Sequence, residues 1–235
     1  MIVLGHKGYS AKFPENTLLS FKKAMEYGAD GVELDVWLTK DGKVVVHHDP
    51  NIVETYGADL DIKNSTLEEL KKYEFEGEKI PTLEEVYEAL PPTATINVEI
   101  KDIDASIPAL SIVRQYNAVE RTIISSFDDR ALKIVRNEEP NIRIGLLIGR
   151  FYKKYELIQL MRKIQPHYIN VPIQGAELLG KKTFTLYLKS IKFMRKGIIM
   201  WTVNNPEEFE PYYSMCEALI TDEVELMIKY REAHK

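Results

Sequence analysis

The chain has 235 residues, 45% of them hydrophobic, which is enough for one large domain or two small ones with a sizeable core. A net charge of −5 argues against a nucleic-acid partner, and the single cysteine, Cys216, excludes an intrachain disulfide and a thiolate metal cluster. Apolar runs such as 197–203 are far too short to cross a bilayer, and the first residues lack the basic and long apolar segments of a secretory signal. The expectation is a soluble cytoplasmic protein with no stable membrane insertion.

In chain order, eight short apolar runs read as strands: 2–6, 31–39, 95–100, 122–126, 142–148, 168–171, 198–203 and 218–221. Several are β-branched and continuous rather than alternating, as parallel strands buried on both faces should be. Helix-like stretches lie between them. Pro14-Glu15-Asn16-Thr17 leads into 18–27, closed by Gly28. Thr66 with Glu69 and Thr82 with Glu85 match a capping box, in which each side chain satisfies an orphan backbone N–H. Asp128 caps 129–137, Asn205-Pro206 opens a short helix with proline at its first position, and Asp222 with Glu225 opens the last one.

Strand then helix, repeated eight times, predicts an α/β fold: a (β/α)8 TIM-type barrel formed by the whole chain, 1–235, as a single domain. A doubly wound open sheet is the competing architecture. The interval 50–90 is longer than an ordinary strand-to-helix connection and reads as a short insertion over the barrel mouth.

After the second strand, Asp41-Gly42 is a strong hairpin signal, with 44–48 as the return arm. A two-residue type I′ turn sets Trp37 opposite Val46 and Asp35 opposite His48. Glu33 and Asp35, two apart, share a face, so the hairpin gathers two carboxylates and an imidazole. A bulge would move the register by one and send His47 inward instead.

Catalytic groups of such barrels sit at the C-terminal ends of the strands. There the sequence places His6 and Lys7, then Glu33 and Asp35, then Asn97, Glu99 and Lys101 on one face, then Ser125 to Phe127, and finally Trp201 to Asn204. Glu33, Asp35 and Glu99 are hard oxygen donors suited to Mg²⁺ or Ca²⁺; salt bridging to Lys7 and Lys101 is the alternative. His6 and His48 are metal ligands or an acid–base pair. Lys7 and Lys101 supply positive charge for a phosphate, and Phe127 and Trp201 wall a glycerol-sized pocket or simply pack.

The ordered segments His6-Lys-Gly8, Pro14-Glu-Asn-Thr17, Glu33-Leu-Asp35, Thr39-Lys-Asp-Gly42, Val45-Val-His-His-Asp49, Ile80-Pro-Thr-Leu83, Asn97-Val-Glu-Ile-Lys101, Ser125-Ser-Phe127, Trp201-Thr-Val-Asn204 and Ile220-Thr-Asp222 resemble those of the glycerophosphodiester phosphodiesterase family, across nearly the whole chain. The resemblance implies a TIM-type barrel, a divalent cation and hydrolysis of glycerophosphodiesters to glycerol 3-phosphate and an alcohol. It implies His6 and His48 as the acid–base pair, Glu33, Asp35 and Glu99 as metal ligands, and Lys101 and Trp201 facing a small-molecule substrate. Lys7 stands where the family usually has arginine. Lipid substrates, as for a lysophospholipase D, or phospho-ligand binding without turnover are the other readings.

Overall fold

Among residues 1–234, which the computed structural model describes, nine strands form one sheet. They are β1 (Ile2–His6), β2 (Gly31–Leu38), β3 (Val44–Val46), β4 (Thr95–Ile100), β5 (Thr122–Ser126), β6 (Arg143–Leu147), β7 (Tyr168–Pro172), β8 (Gly197–Trp201) and β9 (Ala218–Thr221). The helices are α1 (Leu18–Glu26), α2 (Val53–Tyr56), α3 (Leu67–Leu70), α4 (Leu83–Ala89), α5 (Ser106–Gln115), α6 (Asp129–Glu138), α7 (Lys154–Ile164), α8 (Gly175–Leu179), α9 (Lys181–Phe193), α10 (Pro206–Phe209) and α11 (Val224–Ala233). The pairing runs β1-β9-β8-β7-β6-β5-β4-β2 and returns to β1, every contact parallel, so the ring closes. This is a (β/α)8 barrel of the TIM type. β3 hangs antiparallel on β2 outside the ring.

Period two explains why the strands read as continuous apolar runs. In β1, Val3 joins the layer between sheet and helices, whereas Leu4 faces the interior. Ile198 and Ile199 in β8 divide the same way, as do Leu219 and Ile220 in β9. Leu4, Ile123, Ile199, Ala218 and Ile220 form an apolar plug inside the barrel. At the level of this plug neither face meets water, so no polar alternation is needed there.

At Gly31 a side chain has no room. A Cβ on Gly31 would sit 1.8 Å from the Thr95 carbonyl oxygen, where β2 and β4 run side by side. Gly31→Ala is expected to cost roughly 3 kcal/mol through forced separation of the strands. Urea unfolding of the variant checks this: an unchanged midpoint would contradict it.

The helix starts follow their local chemistry. Both capping boxes form, at Thr66 with Glu69 and at Thr82 with Glu85. Asp128 caps α6 and Asn205 caps α10. The last helix differs from expectation: it begins at Val224, and Asp222 does not cap it because its carboxylate is turned to His6, Ser10 and Asn204.

The hairpin register also differs. The loop holds three residues, Lys40, Asp41 and Gly42, and only Gly42 takes a positive φ, at 76°. Gly42 N–H donates to the Thr39 carbonyl, and the Asp41 carboxylate is taken by the Thr39 hydroxyl and the Leu67 N–H. That is the geometry of a turn with a bulge rather than type I′. Trp37 therefore pairs with Val45, not Val46, and the Asp35 carbonyl accepts from the backbone of His47, not His48.

The segment after β3 carries its own small core, in which Ile52, Tyr56, Ile62, Leu70 and Ile80 pack on Val45. Residues 83–89 do not belong to it. Leu83, Val86 and Tyr87 of α4 pack into the main core as one of the barrel's surrounding helices, so the insertion ends before α4 rather than at 90.

Candidate active site

The strand register gathers the acids. Asp35 of β2 lies beside Glu99 of β4, Glu33 beside Asn97, and His6 of β1 beside Glu33. Paired neighbours in a parallel sheet point the same way, here into the barrel above the apolar plug. One carboxylate oxygen from each of Glu33, Asp35 and Glu99 lies within 4.8 Å of the others, and all three residues are buried. Like charges set side by side are costly. Glu33 accordingly has its pKa raised by burial and then by the charge of Asp35, and Glu99 is raised for the same two reasons.

Local cations offset only part of this. Lys101 Nζ sits 3.1 Å from Glu99 Oε1 and 3.4 Å from Asp35 Oδ1. Asn16 Nδ2 donates to Asp35 Oδ2 at 3.0 Å, and the Lys7 backbone N–H donates to Glu33 Oε2 at 3.2 Å. Three buried carboxylates facing one ammonium leave a deficit of positive charge. Asn97 Oδ1 and Ser125 Oγ, on the same strands, are buried without a hydrogen-bond partner among the described residues. Hard oxygen donors around an electrostatic deficit fit a divalent cation of the Mg²⁺ or Ca²⁺ kind.

The two predicted histidines line the same cavity as the acids, a space of about 270 Å³. Each has its Nδ1 against a carboxylate: His6 with Asp222 Oδ1 at 2.6 Å, His48 with Asp49 Oδ1 at 2.8 Å. An ionised carboxylate only accepts, so Nδ1 donates in both and Nε2 is left for other work. His6 Nε2 lies 3.9 Å from Glu33 Oε2. Burial disfavours the His6 imidazolium, but the Asp222 hydrogen bond and the Glu33 charge outweigh it, so its pKa is raised. The His48 carbonyl accepts from Trp37 Nε1 at 3.2 Å, which anchors the chain where β3 has ended. His47 is buried instead among the insertion's residues, with Nδ1 on the Asp49 carbonyl and Nε2 near the Thr55 hydroxyl.

Lys101, Phe127 and Trp201 complete the cavity wall, the two rings meeting edge to face with centroids 6.0 Å apart. Lys7 does not line it: its ammonium is 3.0 Å from Glu15 Oε1 and its backbone turns at φ 53°. The carboxylate of Glu15 pulls the side chain off the rim. Of the nine predicted site residues, the structure brings eight together and leaves Lys7 aside.

Asp222 is the partner that sequence reasoning assigned to helix capping. Besides His6 it accepts from Ser10 Oγ at 2.8 Å and Asn204 Nδ2 at 2.6 Å. The available signal was its place directly after the end of the last strand, in the segment Ile220-Thr-Asp222. Burial raises its pKa, yet the hydrogen bonds from His6 and Asn204 win and hold it at about 2, below the ordinary 3.8. Asp222→Asn is expected to lower activity about tenfold to a hundredfold by freeing the His6 ring. A depressed carboxylate stabilises the fold above its ordinary pKa and loses that contribution as pH falls through its folded value. The melting-point gap between wild type and Asp222→Asn should therefore be full above pH ~4 and close towards pH ~2; a pH-independent gap would contradict the assignment.

Comparison with known proteins follows the same outline. Residues 6–226 match the model of the glycerophosphoryl diester phosphodiesterase family. The chain is 35% identical to a glycerophosphodiester phosphodiesterase of Caldanaerobacter subterraneus subsp. tengcongensis, covering 97% of this chain and 96% of the relative. It superposes on the crystal structure of a glycerophosphodiester phosphodiesterase from Thermotoga maritima with a TM-score of 0.87, at 39% identity and 97% coverage of each chain. An Oleispira antarctica phosphodiesterase in complex with the product sn-glycerol-3-phosphate shares the fold, with a TM-score of 0.87, 22% identity and coverage of 99% of this chain and 97% of its own.

Proposed function

The chain belongs to the glycerophosphoryl diester phosphodiesterase family and is a phosphodiesterase, and on that premise we propose that it hydrolyses small glycerophosphodiesters to glycerol 3-phosphate and an alcohol, using a divalent cation and a histidine pair. The observation that carries this reading is the convergence of three buried acids, Lys101 and two carboxylate-backed imidazoles on one cavity. Glu33, Asp35 and Glu99 would hold Mg²⁺ or Ca²⁺. When bound, the cation offsets the charge that builds on the phosphoryl oxygens in the transition state.

The rest is work for the chain's own side chains. One imidazole takes the proton from the attacking oxygen, which belongs to water or to the substrate's neighbouring glycerol hydroxyl. The other gives a proton to the leaving alkoxide. Asp222 and Asp49 keep the two rings in the orientation that presents Nε2. Lys101 faces the phosphate from the acid side, and Phe127 with Trp201 closes the wall against the glycerol carbons. The whole chain works as one barrel domain.

The insertion favours soluble diesters over lipids. Asp59, Asp61, Lys63 and Asn64 give it a polar outer run, and most of its apolar residues pack in its own core, with Val53 and Tyr73 left exposed. The test is direct: purified protein with glycerophosphocholine and Mg²⁺ should release glycerol 3-phosphate. No release from a panel of glycerophosphodiesters with either Mg²⁺ or Ca²⁺ would overturn the proposal.

A further inference from the structure

We propose that the outer face of α9 docks this protein on an anionic lipid bilayer surface. The segment 181–196 carries Lys181, Lys182, Lys189, Lys192, Arg195 and Lys196 and no acidic residue, in a chain whose net charge is −5. The helix has two distinct faces. Phe184, Leu188 and Ile191 are buried against the barrel at i, i+4 and i+7. On the opposite side, Lys182, Leu186, Lys189 and Phe193 follow at i, i+4, i+7 and i+11 and span an arc of about 60° at 100° per residue.

Leu186 is 67% exposed and Phe193 is 85% exposed. Lys182 and Lys189 form no ion pair among the described residues, whereas Lys192 is held by Glu217. A surface helix of a barrel has its apolar stripe against the sheet and needs no second one. A second stripe that interleaves large apolar groups with free ammonium groups is the pattern of helices lying in a membrane interface. There the apolar side chains enter the acyl boundary while lysines meet the headgroups.

Charge chooses among occupants. A second copy packed on the same face would oppose two basic stripes, which is unfavourable. Duplex nucleic acid offers phosphate but no apolar layer for Phe193 and Leu186. An anionic bilayer supplies both. Because α9 follows β7, it runs from the barrel mouth towards the base, so a helix lying flat leaves the mouth open sideways to soluble substrate. Among the described residues no helix is long and apolar enough to cross a membrane, so the association is peripheral.

Sedimentation with vesicles tests this. At low salt the protein should pellet with vesicles of phosphatidylglycerol and phosphatidylcholine in equal parts, not with phosphatidylcholine alone, and added salt should release it. Each lysine near such a surface contributes about fivefold to partition, so Lys182→Glu/Lys189→Glu should reduce binding by at least about tenfold. Leu186→Ser/Phe193→Ser should do the same. Both pairs should keep the wild-type rate on soluble glycerophosphocholine. Wild type that stays in solution, or variants that pellet like wild type, would overturn the proposal. So would a dimer that these variants dissociate without vesicle binding, or binding to duplex DNA that persists in Leu186→Ser/Phe193→Ser.

Discussion

Replacing His6 or His48 with alanine is expected to lower turnover of glycerophosphocholine by about two to four orders of magnitude, with KM changed far less. The reason is chemical rather than structural. Each ring lines the cavity, and each has Nδ1 fixed on a carboxylate, so the loss removes one proton transfer and leaves the acids in place. His47 is the internal control. It is one residue from His48, but its ring is buried among the Asp49 carbonyl and Thr55. His47→Ala should lower the melting point and spare most of the turnover. Glycerol 3-phosphate release under saturating substrate separates the three variants. A His6 or His48 variant with near-normal turnover would remove that residue from the mechanism, and a His47 variant that lost turnover while still folded would reverse the assignment.

Chelation is expected to abolish activity, and Mg²⁺ or Ca²⁺ to restore it. Burial and the nearby charge of Asp35 together raise the pKa of Glu33 and Glu99. A carboxylic acid whose folded pKa lies above its ordinary value is destabilising once ionised. The metal-free protein should therefore lose stability as pH rises above the ordinary carboxylate range, and Glu99→Gln should lose less. Binding a cation must displace any proton on these groups, so affinity should fall as pH drops through the raised values. Thermal melting across pH 5 to 8, with chelator and with cation, reads both effects. A melting point that cation does not raise at high pH, or activity that survives full chelation, would contradict the account.

Much of this is legible in the sequence. β1, β4, β5 and β9 fall on the expected residues because each is a short β-branched run bounded by turn or capping chemistry. The barrel follows from eight such runs alternating with helices. The acids were legible because period two sets Glu33, Asp35 and Glu99 on the face opposite Val32, Leu34, Val36 and Val98, whose apolar side chains pack towards the helices. The hairpin was read wrongly in register, since Asp41-Gly42 fits both a two-residue turn and a three-residue bulged one, and the carboxylate of Asp41 selects the second. His48 nevertheless reaches the cavity because β3 ends at Val46, so strand alternation no longer governs the two residues that follow. The place of Lys7 off the cavity wall and the turn of Asp222 away from helix capping were not legible, for a shared reason. Their partners, Glu15 in one case and His6 with Asn204 in the other, are fixed by loop geometry that no local pattern encodes. The eighth strand stops at Trp201 although the apolar run continues to Val203, because Val203 turns into the main core beside the Asn205 cap.

The most direct test of the central claim is calorimetric titration of chelator-treated protein with Mg²⁺ and with Ca²⁺, for wild type and for Glu33→Gln, Asp35→Asn and Glu99→Gln. The account predicts one ion bound per wild-type chain and a marked loss of affinity in each variant. Wild type that binds neither ion, or variants that bind as tightly as wild type, would contradict it.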